Sequence, residues 1–168
     1  MSNVRHLRLL FLTVTLLFGA GALAAQEVPV AFGKSRTDSS APVEVTADNL
    51  DVNQADGSAE FTGDVLVVQG AMRMTANRVF VVYDRAQSRI ERLEATGDVL
   101  LVSGDDAAEA ERADYSIDSG TIVMTGNVLL SQGPSVLSSQ KMTVDLDSGT
   151  ARMAGRVKTI LNQDSDDE

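Results

Sequence analysis

Cysteine and tryptophan are absent, and histidine occurs once, as His6. Without cysteine there is no disulfide framework, so stability has to come from a hydrophobic core and backbone pairing. His6 lies in an N-terminal stretch expected to be removed, which leaves a mature chain with neither His nor Cys. No Ser-His-Asp triad, Cys-His pair or His-bearing zinc site can be assembled from such a chain. Aromatic residues make up only 4%, so the interior must be lined by aliphatic and methionine side chains. Sustained apolar spacing of three and four is missing after the N-terminal stretch, and with it any helical signal. Basic residues are scarce: once Arg5 and Arg8 are removed, 12 remain against 24 acidic ones, a balance of −12. That charge repels phosphate backbones, so no nucleic-acid partner is expected, and it disfavours broad docking onto an anionic membrane surface.

Acidic residues could in principle form a glycosidase pair, but Asp118 and Asp147 recur just before turn glycines, where a turn itself favours Asp. The stretch Asp145-Leu146-Asp147-Ser148-Gly149 resembles the start of a calcium loop without its closing Glu. The glycines precede strands rather than helix N-termini, so they cradle no phosphate. Neither an enzyme nor a bound cofactor is expected.

The 168 residues, 43% hydrophobic, suit one domain. Residues 1–25 have the layout of a cleavable signal peptide: Arg5 and Arg8, the apolar run Leu9 to Leu17, then small residues ending at Ala24-Ala25. Export is the consequence. Residues 26–41 lack apolar periodicity and read as a flexible leader, residues 42–161 as the folded domain and residues 162–168 as a solvated acidic tail.

Laid against itself, the domain repeats: Phe61-Thr62-Gly63-Asp64-Val65, Ala95-Thr96-Gly97-Asp98-Val99, Met124-Thr125-Gly126-Asn127-Val128 and Met153-Ala154-Gly155-Arg156-Val157. The glycines are 34, 29 and 29 residues apart. A second marker, Ala47, Ala76, Ala110 and Ser139, has spacings of 29, 34 and 29, and follows each of the first three glycines by 13 residues. A five-residue insertion around Asp84 to Arg89 is expected to form a longer hairpin loop.

Apolar residues alternate on either side of each glycine, the period of a strand. Asp56-Gly57, Asp118-Ser119-Gly120 and Asp147-Ser148-Gly149 mark turns. Segments of about 12 residues exceed the usual strand, so each is expected to bend, with the repeated glycine at the midpoint of every second segment. Eight bent segments predict about 16 antiparallel strands wrapped as two facing sheets, an all-β jellyroll-like shape built from four repeats. The columns beside the glycines, such as Ala59, Phe61, Val65 and Val67, are expected to point inward, along with Leu93, Ala95, Ile122, Ala151 and Val157.

From Pro42 to Leu161 the chain resembles the OstA-like family, to which the lipopolysaccharide-transport protein LptA belongs. The resemblance rests on Pro42-Val43-Glu44-Val45-Thr46-Ala47-Asp48, the run from Phe61 to Gly70, Met72-Arg73-Met74-Thr75-Ala76-Asn77-Arg78-Val79, Thr125-Gly126-Asn127-Val128 and Gly155-Arg156-Val157-Lys158-Thr159. It implies a periplasmic protein with an open twisted β-jellyroll that shields the lipid A acyl chains of lipopolysaccharide in a hydrophobic groove. It also implies LptC as partner at the inner membrane, LptD at the outer membrane, and head-to-tail self-association. By position it implies lipid-facing roles for Val45, Val52, Phe61, Val65, Val67, Met74, Val99, Leu101, Met124, Val128, Leu130, Leu137, Val144 and Met153. The first strand, near Val43 to Ala47, and the last, near Val157 to Leu161, would be open edges available for strand addition. Asp105-Asp106-Ala107-Ala108 departs from the pattern and is expected to interrupt the lining. Two alternatives stand beside the carrier: an OstA-like adaptor that pairs by its edges without lipid, and an LptC-like protein retaining its anchor, which Ala22-Leu23-Ala24 disfavours. Taken as complete, the chain is not expected to be the N-terminal part of LptD, since no outer-membrane barrel follows.

Overall fold

A computed structural model describes residues 28–33, 40–55, 57–84 and 89–160. The signal-peptide and acidic-tail readings lie outside the described residues, as does the middle of the leader. Among the described residues all regular structure is strand: β1 (Val28–Ala31), β2 (Glu44–Thr46), β3 (Asn49–Asn53), β4 (Ser58–Gln69), β5 (Met72–Asp84), β6 (Arg89–Ser103), β7 (Asp106–Ser116), β8 (Thr121–Gln132), β9 (Ser135–Asp145), β10 (Thr150–Ala154) and β11 (Lys158–Ile160). They form one 11-stranded antiparallel sheet in the order β1-β10-β9-β8-β7-β6-β5-β4-β2, with β3 also on β4 and β11 also on β9. All-β architecture and antiparallel pairing agree with the expectation from the sequence.

The strand count does not. About 16 short strands were expected, and 11 are present among the described residues, because a bend need not end a strand. In β4, Gly63 and Asp64 both stand at positive φ (82° and 42°), and the register with β5 shifts between Thr62 and Val65. Such a bulge kinks the backbone while pairing resumes on both sides. Strands β4 to β9 therefore run unbroken through their bends for 11 to 15 residues. Only the first and last of the bent segments separate, into β2 with β3 on β4 and into β10 with β11 on β9.

Each bulge glycine faces a particular side chain on the neighbouring segment. A Cβ built at Gly126 would lie 2.6 Å from Glu111 Oε2, and one at Gly63 would lie 2.6 Å from Asp48 Oδ2. Asn77 stands in the same way over Gly97 and Gln140 over Gly155. These four residues directly follow the second marker, so each marker sits on the segment before its glycine and places the side chain that lies over the bend.

The insertion between β5 and β6 also differs from expectation. It lengthens the strands, adding the pairs Tyr83↔Ile90 and Asp84↔Arg89 with a register shift beside them. The leader is corrected as well. Its residues Val28 to Ala31 pair with Met153 to Thr150, and Phe32 is buried.

The bends fold the sheet so that its two halves face each other. Two-residue turns, as between Gln69 and Met72, end one half; four-residue turns, as between Ser116 and Thr121, end the other. The two rims meet: Tyr115, beside a four-residue turn, donates a hydrogen bond to Gln69, beside a two-residue turn.

Candidate functional site

The inward residues line up as rows running across the sheet, because cross-strand partners in register share a face. One row runs Val45, Val67, Met74, Leu101, Ala108, Leu130, Leu137 and Thr159. In the facing half, another runs Val52, Ala59, Val81, Leu93, Tyr115, Ile122, Val144, Ala151 and Val30. A third runs Leu50, Phe61, Val79, Ala95, Ala113, Met124, Met142 and Met153. The rows from β3 are thus apolar as far as β10, and the row from β2 is apolar as far as Leu137 on β9, ending on β11 at the exposed Thr159.

All 14 residues assigned inward by resemblance lie on this face, but their exposure differs. Val65, Val67, Met74, Val99, Leu101, Met124, Val128, Leu130, Leu137, Val144 and Met153 are buried, and Phe61 and Val45 are partly buried. Val52 is 62% exposed, as its neighbour Leu50 is at 54%, because β3 is the last strand of its half and nothing covers it. The five methionines after Met1, at 72, 74, 124, 142 and 153, are all inaccessible to solvent. The stretch at Asp105 to Ala108 does not interrupt the row. Ala108 is buried between Leu101 and Leu130, and the acidic Asp106 sits at the rim.

Residues missed from the sequence include Met72, Val79, Val81, Tyr115, Met142 and Phe32, all buried. In the glycine-bearing strands the inward positions step by four across the bend, as from Phe61 to Val65, and period two survives. In the strands between them the step is three, as from Ala76 to Val79, and period two breaks. A test for alternation with one three-residue step after each marker would have found Val79, Val81, Tyr115 and Met142.

No buried side chain among the described residues is charged; the buried polar ones are Ser58, Gln69, Ser103 and Ser139. Charge lies on the outer face and at the rims. Arg78 pairs with Glu60 at 2.7 Å, and Arg112 joins Glu94 at 2.9 Å and also Asp114. Hydrogen bonds from these guanidinium groups hold the Glu60 and Glu94 carboxyls below their ordinary range. Hollows on the outer bend are lined by residues such as Asp98, Glu109 and Glu111, the wrong chemistry for hydrocarbon.

Three contacts close the rims. Gln69, besides accepting from Tyr115, donates to the Ala41 carbonyl at 2.9 Å. Gln132, at the same place in its own hairpin, donates to the Ala31 carbonyl at 2.6 Å. The Gly33 N–H donates to Asp106 Oδ2 at 2.7 Å. The interior is therefore an apolar, uncharged slot, closed by side chains packed on one another, with its rims held by a few polar contacts. Its chemistry suits sequestering hydrocarbon, and among the described residues no group of His, Cys, Asp and Glu is placed to hold a metal.

Comparison with known proteins agrees with this architecture. Residues 44–150 match the family described as LptA/(LptD N-terminal domain) LPS transport protein. The lipopolysaccharide export system protein LptH of Pseudomonas aeruginosa is 32% identical over 73 residues, which are 44% of this chain and 40% of that protein. An uncharacterised protein of Rhizobium meliloti is 30% identical over 90 residues, 49% of this chain and 48% of its own length. The matches thus span less than half the length of these curated relatives. The crystal structure of LptH, the LptA homologous periplasmic component of the conserved lipopolysaccharide transport device from Pseudomonas aeruginosa, superposes with a TM-score of 0.67 at 18% identity. That superposition covers 76% of this chain and 99% of the other, and it establishes the shared fold. With most of the chain matched by the family, the protein belongs to the LptA/LptD N-terminal domain family of lipopolysaccharide-transport proteins.

Proposed function

We propose that this protein is a periplasmic carrier that shields the lipid A acyl chains of lipopolysaccharide on their way from the inner to the outer membrane. LptC would deliver the lipid, LptD would receive it, and copies would stack head to tail between them. No chemical step is assigned to the chain itself. The observation that carries this reading is the uninterrupted apolar row from Val45 through Met74, Leu101 and Leu130 to Leu137, running from β2 to β9. Exposing an acyl chain to water costs about 0.8 kcal/mol per CH₂, and such a row removes that cost along its length. Because the inward side chains are inaccessible to solvent, loading requires the two halves to part at the rims. The methionines, with their flexible thioethers, can repack around hydrocarbon at little strain.

The close packing also favours a second reading, an adaptor of the same fold that pairs by its edges and holds no lipid. A photo-crosslinking residue at Val67 or Met124 separates the two in cells. The carrier captures lipopolysaccharide at both positions; a folded, abundant protein that yields no adduct at any inward site is the adaptor.

A further inference from the structure

The two ends of the sheet are made to match, except in one place. Strands β3 and β10 have five residues each, and β2 and β11 three each. Each pair is interrupted at the bend, β2 and β3 lying on the two halves of β4 and β11 and β10 on the two halves of β9. A second copy added antiparallel to the last segment would set its β3 on β10 and its β2 on β11, continuing both halves of the folded sheet. Its exposed Leu50 and Val52 would then cover the inner row that ends at Ala151 and Met153. In this structure that position on β10 is already taken by the chain's own β1, while β11 keeps a free outer edge.

The hydrogen-bond pattern of β1 is that of a strand that ends a sheet. Phe32 N–H donates to the Gly149 carbonyl at 3.0 Å. Antiparallel pairs alternate between bonded and non-bonded, so Val30↔Ala151 is a bonded pair, and Pro29↔Arg152 and Ala31↔Thr150 are not. The backbone groups of Pro29 and Ala31 face away from β10. Proline has no N–H to offer there, and the Ala31 carbonyl is taken by Gln132. A further strand finds little to pair with beyond β1. Phe32, 2% exposed, seals the adjoining end of the interior, and Gly33 ties the segment to Asp106 on the opposite rim.

We propose that residues 28–33 are a displaceable cap on the β10 edge. They occupy the place of the incoming β3 of a second copy, so that stacking proceeds only as the cap is released. This rests on the edge-to-edge stacking of the proposed function and adds a competitor internal to the chain. The cap is held by one short strand, one aromatic side chain and two rim hydrogen bonds, a set of contacts small enough to exchange for a strand of equal length.

Because the chain has no cysteine, Ala31→Cys with Thr150→Cys can lock the cap by a single disulfide. Non-bonded antiparallel pairs bring Cα atoms to about 4.5 Å, within disulfide reach. Sedimentation velocity over a concentration series on the mature protein compares the locked pair, the same protein reduced, and a chain lacking residues 28–33. The expected result is that locking raises the concentration for half-association at least tenfold over the reduced form, and that deletion lowers it at least tenfold. Identical association curves for the oxidised and reduced protein, including all forms remaining monomeric, overturn the cap. Crosslinking at Val67 on the same proteins tests lipid capture separately, so capture with unchanged association discards the cap and leaves the carrier.

Discussion

The Tyr115 hydroxyl donates to the Gln69 side-chain carbonyl across the buried interior, tying the rim of β7 to the rim of β4, 46 residues away in sequence. Burial pushes the Tyr115 phenol up to about 12. Tyr115→Phe removes the donor but leaves the buried Gln69 carbonyl in place, so a loss of about 1–3 kcal/mol is expected. The same pair gives a pH signature. A phenol with a folded pKa above its unfolded value of 10.0 contributes stability that is intact below 10.0 and is lost as pH rises towards about 12. Urea midpoints measured across that range should fall more steeply for the parent than for Tyr115→Phe; parallel curves contradict the assignment.

Gly126→Val tests the bend. Its φ of 84° disfavours any side chain, and a Cβ there meets both Glu111 Oε2 and Glu111 Cβ within 2.8 Å. Backbone strain of about 1–3 kcal/mol combined with overpacking should lower the melting temperature by roughly 10 °C or more. Melting followed by far-ultraviolet circular dichroism decides it, and an unchanged midpoint removes the bulge from its structural role.

Much of this was legible beforehand, for a physical reason. Turns and bends demand particular residues, and Gly63, Gly97, Gly126 and Gly155 stand out because few other residues tolerate a left-handed backbone. The glycine-side lining was legible because four residues across the bend preserve alternation, as from Met124 to Val128. The lining of β5, β7 and β9 was hidden by the three-residue step, which moved Val79 and Met142 out of phase. The docking of Val28 to Phe32 was invisible because a single short edge strand carries almost no periodic signal, and its partner strand lies more than a hundred residues away. Strand number failed because it depends on whether pairing survives a kink, a property of the neighbouring strand.

Arg156 offers a stabilising change. It holds a φ of 48° at the place where the other bulges carry Asp64, Asp98 and Asn127. Asn accepts the left-handed region more readily than Arg, whose penalty there is roughly 1–2 kcal/mol. Arg156→Asn should therefore gain about 1 kcal/mol in chemical denaturation, with the slope of the transition unchanged.

The outer ion pairs predict a shallow acid limb. Glu94 is held below its ordinary value of 4.5 chiefly by the hydrogen bond from Arg112, with Arg92 adding to it. Its contribution is present above 4.5 and is lost as pH falls through the lowered value. With side chains 41% and 25% exposed, the effect should stay below about 1 kcal/mol. Arg112→Gln should flatten the fall in urea midpoint between about pH 5 and about pH 3; an unaltered fall shows that the pair contributes nothing measurable.

The bulges also fix how such a protein can grow. One glycine strand and the strand after it together span 29 residues, the distance from Gly97 to Gly126 and from Gly126 to Gly155. That odd number combines one crossing of the bend that keeps alternation with one that reverses it. Duplicating or deleting a full unit returns the next strand to the same phase, whereas an odd change in length keeps the later side chains in place only where a register shift absorbs it, as between Val82 and Tyr83. Each added pair of strands lengthens the apolar interior by about 10 Å. The reach of the slot is thus a heritable length measured in whole copies, open to adjustment by gene duplication in a way that point substitution cannot match.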